Sequence, residues 1–180
     1  MARKEKLKID HRILANNLRS LRKQALLSIN GIDAYTNQSS DHIRQLENIR
    51  NFVTPNVNTL LPYSVLYDVT VNDLLTKPDL KLGTNLEELE TFRKKHKDFE
   101  DYFIDTLSTP DFIRLKILPL PQMKTGIKVM EIINLFPEAN LKSKSLSREL
   151  SRLVEKGTLI REDLSGKRAV YIYKLNEEPK

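Results

Sequence analysis

The chain has 180 residues, 39% of them hydrophobic, with 30 Lys and Arg against 24 Asp and Glu and no cysteine. That length and apolar content suit one large domain or two small ones, and the lack of cysteine excludes disulfides and thiolate-ligated zinc. A net charge of +6 suits a nucleic-acid partner without requiring one, while His11, His42 and His96 are too far apart in sequence for a local metal motif.

The N-terminus, MARKEKLKID, is charged with no apolar run behind it, and no apolar window long enough to span a bilayer occurs. Neither a secretory signal nor a membrane span is expected, so the expectation is a soluble, cytoplasmic protein. Residues 1–78 carry 11 basic and 7 acidic groups, 79–110 carry 5 and 8, and 111–180 carry 14 and 9. Two basic ends thus flank an acidic middle. Two nucleic-acid-facing modules joined by a spacer give this pattern, and so does uneven solvated surface.

In residues 9–24, IDHRILANNLRSLRKQ, Ile9, Ile13, Leu14, Leu18 and Leu21 share one side at helical spacing, with Arg12, Arg19, Arg22 and Lys23 largely elsewhere; this predicts a first helix. Ser28 can cap a short second helix ending near Thr36, Asn37 can take the left-handed turn, and Ser39 can cap a third helix at the amide of Asp41 or His42. In that third helix Ile43, Leu46 and the stem of Glu47 fall together, while Asp41, Gln45 and Asn48 lie opposite with His42 beside them. Gln can pair with adenine and Asp can accept from the cytosine amino group, although any surface helix has a polar outer face.

TPNVNTLLPYSVLYDV predicts a fourth helix, capped by Thr54 with Pro55 in its first turn and kinked or divided at Pro62. TVNDLLTK predicts a fifth, and PDLKLGTN a turn-rich boundary. Across residues 85–107, Leu86, Leu89, Phe92, His96, Phe99, Phe103 and Leu107 recur every three or four positions. That is the pattern of one long amphipathic connector helix, whose apolar seam packs on its own chain or on a second copy. His96, on the seam and without a metal-binding neighbour, reads as a structural histidine.

TPDFIRLKILPLPQMKTG reads as an extended connection, because Pro119 and Pro121 cannot sit inside a helix. GIKVMEIINLF predicts a helix, and the stretch between Phe136 and Ser143 leaves room for only a very short one. SKSLSRELSRLVEKGTLIREDLSGKRAVYIYKL predicts a helix closed by Gly157 and two strands joined by a hairpin turn at Ser165 and Gly166. No repeat of solenoid period and no low-complexity tract occurs.

Several weak signals fall in one register: LRK at 21–23, LS at 27–28, Ile32 as the inward residue of the second helix, the turn at Asn37, the cap at Ser39, and IRQLEN at 43–48. Through them residues 21–48 resemble the helix-turn-helix of phage repressors and Cro, the XRE family. After a connection about two residues longer than usual, TLLPYSVLYDVTVNDLL is similar to that family's last two helices, so the resemblance covers about residues 9–76. It implies a five-helix repressor-like domain whose second helix lies across the DNA backbone and whose third enters the major groove. Ser40, Asp41 and Gln45 become the implied base readers, and Arg44 reaches bases or phosphate. Ser28, Asn48 and Arg50 are assigned to the phosphate backbone. Arg22 and Glu47 match an ion pair between the first and third helices of some relatives.

Five departures accompany the match. Ile29 stands where the family has a phosphate-contacting glutamine, and Asp33 where it has a small alanine packed between the two helices. A carboxylate there needs a partner or an exit to water. Gly31 loosens the second helix, Asn37 replaces the turn glycine, and Pro62 interrupts the fourth helix.

The C-terminal helix, helix and hairpin look like a winged helix. Leu146, Leu150, Leu153 and Val154 form an inward stripe, with Lys144, Arg148, Arg152 and Lys156 on the other side. Lys144, Arg148 and Arg152 are assigned to the phosphate backbone, and Lys167 and Arg168 at the wing to a phosphate or a minor groove; the alternative for the helix is an ordinary solvated face with Glu149 and Glu155 interspersed. Tyr171 and Tyr173 share a strand face and read as packing residues.

The expected fold is mainly α: a repressor-like helix-turn-helix domain at 1–78, an amphipathic connector helix and linker at 79–123, and a small α+β winged-helix-like domain at 124–180. The expected function is sequence-specific binding of double-stranded DNA by a transcriptional regulator, as a homodimer on paired half-sites. No cofactor, metal, membrane contact or small-molecule ligand is expected. The alternative is a protein-interaction or assembly adaptor whose helix-turn-helix no longer binds DNA. An enzyme is not expected, since the sequence has no glycine-rich phosphate loop, nucleophile motif or metal-ligand cluster.

Overall fold

The computed structural model describes residues 10–51, 53–163 and 170–177, which are mainly helical with a small three-stranded antiparallel sheet. The chain divides after Asp105 into two units, each with its own apolar core. Among the described residues no helix is long and apolar enough to cross a membrane.

In the first unit, α1 (His11–Gln24) begins where the Asp10 carboxylate accepts the Arg12 N–H at 2.9 Å, and it buries Leu14, Leu18 and Leu21. Ser28 caps α2 (Ile29–Thr36) by accepting the Gly31 N–H at 3.0 Å. Asn37, left-handed at φ 54°, ends that helix, and Ser39 caps α3 (Ser40–Leu46) through the His42 N–H at 3.3 Å. α4 (Val57–Tyr67) starts later than the sequence predicts. Its cap is Asn56, which accepts the Thr59 N–H at 2.9 Å, rather than Thr54. Pro62 sits inside α4 without dividing it: the carbonyl it deprives of a donor belongs to the exposed Asn58, so no buried group is orphaned. Thr70 caps α5 (Val71–Thr76).

The long connector helix does not form. α6 (Glu87–Lys95) stops at His96; the chain then turns back through a 3-10 turn at Glu100–Tyr102, and Phe103 pairs with Leu27 in an antiparallel bridge. Backbone groups that a longer helix would satisfy internally are taken by the segment before α2. The Ser28 N–H donates to the Tyr102 carbonyl at 3.0 Å, and the Ile104 N–H donates to that of Leu26 at 2.9 Å. The periodicity is real, but it serves a folded-back strap. Leu89 and Phe92 enter the core, and the His96 ring lies 4.6 Å from that of Phe92 and 5.6 Å from that of Tyr102. Residues 79–105 therefore belong to the first unit rather than to a spacer.

Gly31 is explained by the same strap. A Cβ there would lie 2.3 Å from the Tyr102 carbonyl oxygen, so the glycine permits backbone to approach backbone. Gly31→Ala should lower the stability of the first unit by roughly 1–2 kcal/mol, the overpacking cost less the gain in helix propensity. A shift in the urea midpoint measures it, and an unchanged or raised midpoint would mean that the strap yields freely.

In the second unit the segment expected to be extended is largely helical. α7 (Thr109–Phe112) runs into a π-helical turn at Ile113–Ile117, and α8 (Gln122–Thr125) follows. The prolines mark helix edges: Pro110 is in the first turn of α7, Pro119 follows the π turn, and Pro121 precedes α8. Ile113, Ile117 and Met123 are buried, which is what draws this stretch into the core. The sheet has the order β1 (Ile127–Lys128), β3 (Tyr171–Leu175), β2 (Leu159–Asp163), with both Ile127 and Arg161 opposite Tyr173. β1 takes the start of the segment assigned wholly to a helix, which is α9 (Val129–Leu135). A 3-10 turn at Pro137–Ala139 leads to α10 (Ser143–Glu155). The turn expected at Ser165 and Gly166 lies outside the described residues.

Candidate nucleic-acid interface

α3 is too short to hold itself, so its orientation depends on anchors. Ile43 and Leu46 fix one face in the core at 0% and 4% exposure. Gln38, in the turn before α3, donates to the Thr59 carbonyl at 2.9 Å and accepts from the Tyr63 hydroxyl at 3.3 Å, tying the turn to α4. Behind α3, Arg22 and Glu47 form a two-pronged ion pair, Nε to Oε1 at 2.6 Å and Nη2 to Oε2 at 2.7 Å, with each residue 8% exposed. Arg22 Nη1 also donates to the Leu27 carbonyl at 3.1 Å, so one guanidinium joins α1, α3 and the approach to α2. Burial, and secondarily the Glu47 charge, raises the pKa of Tyr63 and Tyr67 and keeps these phenols neutral beside the pair.

Asp41, Arg44, Gln45 and Asn48 project outward and are exposed. Asp41 accepts from Arg44 at 3.0 Å, with side chains 88% and 60% exposed, so that ion pair is a loose surface one. Ser40 differs from its sequence assignment. It is half-buried and donates its hydroxyl proton to Asp33 Oδ2 at 2.9 Å. That bond supplies the partner Asp33 needs and removes Ser40 from the outward set. Ser28 also differs. Its hydroxyl donates to the Asp101 carbonyl and its N–H to the Tyr102 carbonyl, so no donor is left for a phosphate. Both corrections arise from partners that sequence spacing does not display, one 7 residues away and one 73. Asn48 accepts the Arg50 N–H at 3.0 Å, and Arg50 is exposed.

Arg19 is the residue that sequence reading left without a role. With Arg44, Asn48, Ile29 and Ile49 it surrounds an open notch of about 360 Å³ whose base is the Arg22–Glu47 pair. The base is internally neutralised and Arg44 is shared with Asp41, so the notch takes its positive character chiefly from the exposed Arg19. The spacing of Arg19 and Arg22, three apart on one helix, was the available signal.

In the second unit α10 buries Leu146 and Leu150 and exposes Lys144, Arg148, Arg152 and Lys156. Glu149, its side chain 12% exposed, accepts from Arg152 at 2.7 Å and stands 3.5 Å from Arg148 Nε, so one carboxylate tempers two of the four cations. A groove of about 440 Å³ runs beside them, lined by Lys128, Ser143, Ser147, Arg148, Ser151 and Tyr171 among others. Tyr173 is 2% exposed, and Tyr171 lies under the Arg161 guanidinium at 4.6 Å; both pack. Lys167 and Arg168 lie outside the described residues. No three His, Asp or Glu side chains among the described residues come together as a metal site would require.

Comparison of the chain with protein-family models, with curated proteins and with solved structures gives no match.

Proposed function

We propose that this protein is a cytoplasmic, sequence-specific transcriptional regulator that binds double-stranded DNA as a homodimer. Its first unit uses α2 and α3 as a helix-turn-helix of the XRE type. The observation that carries the reading is the outward face of α3: Asp41, Arg44, Gln45 and Asn48 are exposed while Ile43, Leu46 and Glu47 lock the opposite side. A polar helix face held rigidly and left open is what base reading in a major groove requires. Gln45 and Asp41 read bases, Arg44 reaches bases or phosphate, and Arg19, Asn48 and Arg50 hold the backbone. The second unit acts as a winged-helix-like module, with Lys144, Arg148 and Arg152 on phosphates.

Binding is tested by fluorescence anisotropy on random duplex at two salt concentrations. Affinity should fall steeply with salt, with a log–log slope of about −0.9 for each phosphate neutralised. Gln45→Ala should relax preference at one base position by about 1–3 kcal/mol in selected sequences, whereas Arg152→Ala should weaken all duplexes alike. Equal losses on every duplex for both variants would refute that division of labour.

A second reading is the adaptor, favoured by Ser28. The strap takes both donors of Ser28, the residue assigned to a phosphate, and it carries Glu100 and Asp101 to that end of α2. An adaptor shows no salt-dependent DNA binding at all.

A further inference from the structure

α4 carries an apolar stripe that the first unit does not bury. Val57, Leu61 and Val65 are 61%, 44% and 51% exposed and stand four residues apart on one face. The 11 residues of this helix, VNTLLPYSVLY, include no charged side chain, in a chain of which 30% is charged. A nucleic acid would need cations on such a face, and a lipid surface would need an apolar face flanked by lysine or arginine. α4 offers neither.

The stripe reads the same in both directions. With Leu61 at the centre, Val57 lies four residues before it and Val65 four after. Two antiparallel copies related by a two-fold axis would set Leu61 against Leu61, and each Val57 against the other copy's Val65. This is the self-complementarity that an isologous contact demands. Asp68, seven positions beyond the centre, would meet the uncharged end of the other copy near Thr54, so within the α4 segment no like charges are opposed. We infer that this face of α4 is the surface through which two copies of the chain pair about a two-fold axis. The inference rests on the homodimer in the proposed function, not on the assignment of base-reading residues. Three half-exposed side chains cover well under the ~800 Å² per partner of a stable interface, so the pairing is weak in free solution and gains strength when DNA holds two copies side by side.

The full chain is tested by sedimentation up to about 1 mM protein, the weak end of measurable association. Wild type should show concentration-dependent dimer. Leu61→Glu and Leu61→Lys should each weaken association at least tenfold through like-charge contact at the axis, and an equimolar mixture of the two should restore it. Because Leu61 reaches solvent, both variants should keep the wild-type far-UV spectrum. Leu61→Cys gives a second measurement that keeps the surface apolar. The natural chain has no cysteine, so a short bismaleimide should link Leu61→Cys into a dimer but leave Asn72→Cys monomeric. A wild type that stays monomeric at the highest concentration, a single variant that dimerises normally, a mixture no better than its components, or equal cross-linking at both positions would each overturn the inference. Anisotropy on a random duplex separates the two claims. Monomeric Leu61→Glu should still bind DNA with steep salt dependence, whereas loss of binding in a wild type that dimerises would sink the DNA reading and leave this one standing.

Discussion

Glu47→Ala should destabilise the first unit by about 3–5 kcal/mol, because it leaves the Arg22 guanidinium in the interior without its counter-charge. Two of the strongest bonds to Arg22, at 2.6 and 2.7 Å, end on this one carboxylate, and only 8% of Arg22 is exposed. The neighbouring phenols of Tyr63 and Tyr67 are held neutral by burial and supply no replacement charge. The buried Tyr67 hydroxyl has no hydrogen-bond partner among the described residues, and Tyr63 already donates to Gln38. For a unit of this size the loss corresponds to a fall in Tm of more than about 12 °C, which thermal denaturation reads directly. The cost should come mostly from removing a carboxylate that offsets a buried guanidinium rather than from lost packing. Replacing both partners with apolar residues of similar volume, Arg22→Met with Glu47→Leu, should therefore recover most of the loss. A double variant as unstable as the single one would mean that the pair contributes through geometry that hydrophobic packing cannot imitate. In the DNA reading the two routes also separate function from stability, since the double variant keeps the fold but loses the rigid link that aims α3.

Where local chemistry sufficed, the fold was legible in the sequence. Ser28, Asn37 and Ser39 punctuate α2 and α3 as their residue types dictate, and the stripe of Leu146 and Leu150 marks α10. Degenerate local signals misled. Thr54 and Asn56 are both capping residues two apart, and only the structure assigns the start of α4 to Asn56. A spacing of three and four across residues 85–107 fits one long helix and also a shorter helix followed by a turn that returns to the same core. Nothing in the sequence separates these, because the deciding bonds run from Tyr102 and Ile104 to residues 26 and 28. Prolines misled in the opposite sense: at helix edges they are tolerated, so Pro119 and Pro121 did not prevent α8 or the π turn. The two residues of β1 are too few to display a period of two. At the candidate site, the outward residues of α3 were legible from the wheel. The engagement of Ser40 with Asp33 and of Ser28 with the strap was not, since a hydroxyl looks the same in sequence whether it faces water or a carboxylate.

The core of α1 holds a polar residue that periodicity passes over entirely. Asn17 is 1% exposed. Its amide donates to the Leu74 carbonyl at 3.0 Å and the Lys77 carbonyl at 2.7 Å, and its oxygen accepts the Leu80 N–H at 3.2 Å. Seven residues on, Gln24 repeats the arrangement, donating to the Leu80 carbonyl at 3.0 Å and accepting the Leu82 N–H at 3.3 Å. Together they fasten the end of α5 and the irregular segment after it to α1, where no regular ladder holds that segment. Asn17→Ala should then cost about 3 kcal/mol, roughly 1 kcal/mol for each of three backbone groups left without its partner. Asn17→Asp should cost more, since it sets a carboxylate against two carbonyl oxygens that need donors. Hydrogen exchange should show the loss as earlier opening at Leu74, Lys77 and Leu80. Uniform loss of protection across α1 to α4 would instead mean that the clamp is part of one cooperative core. Asn17 bonds to α5 and the turn after it rather than to α3, so Asn17→Ala molecules that remain folded should bind DNA as wild type does. Glu47→Ala should lose stability and DNA affinity together, and that contrast separates the residue that aims α3 from the residue that only holds the unit closed.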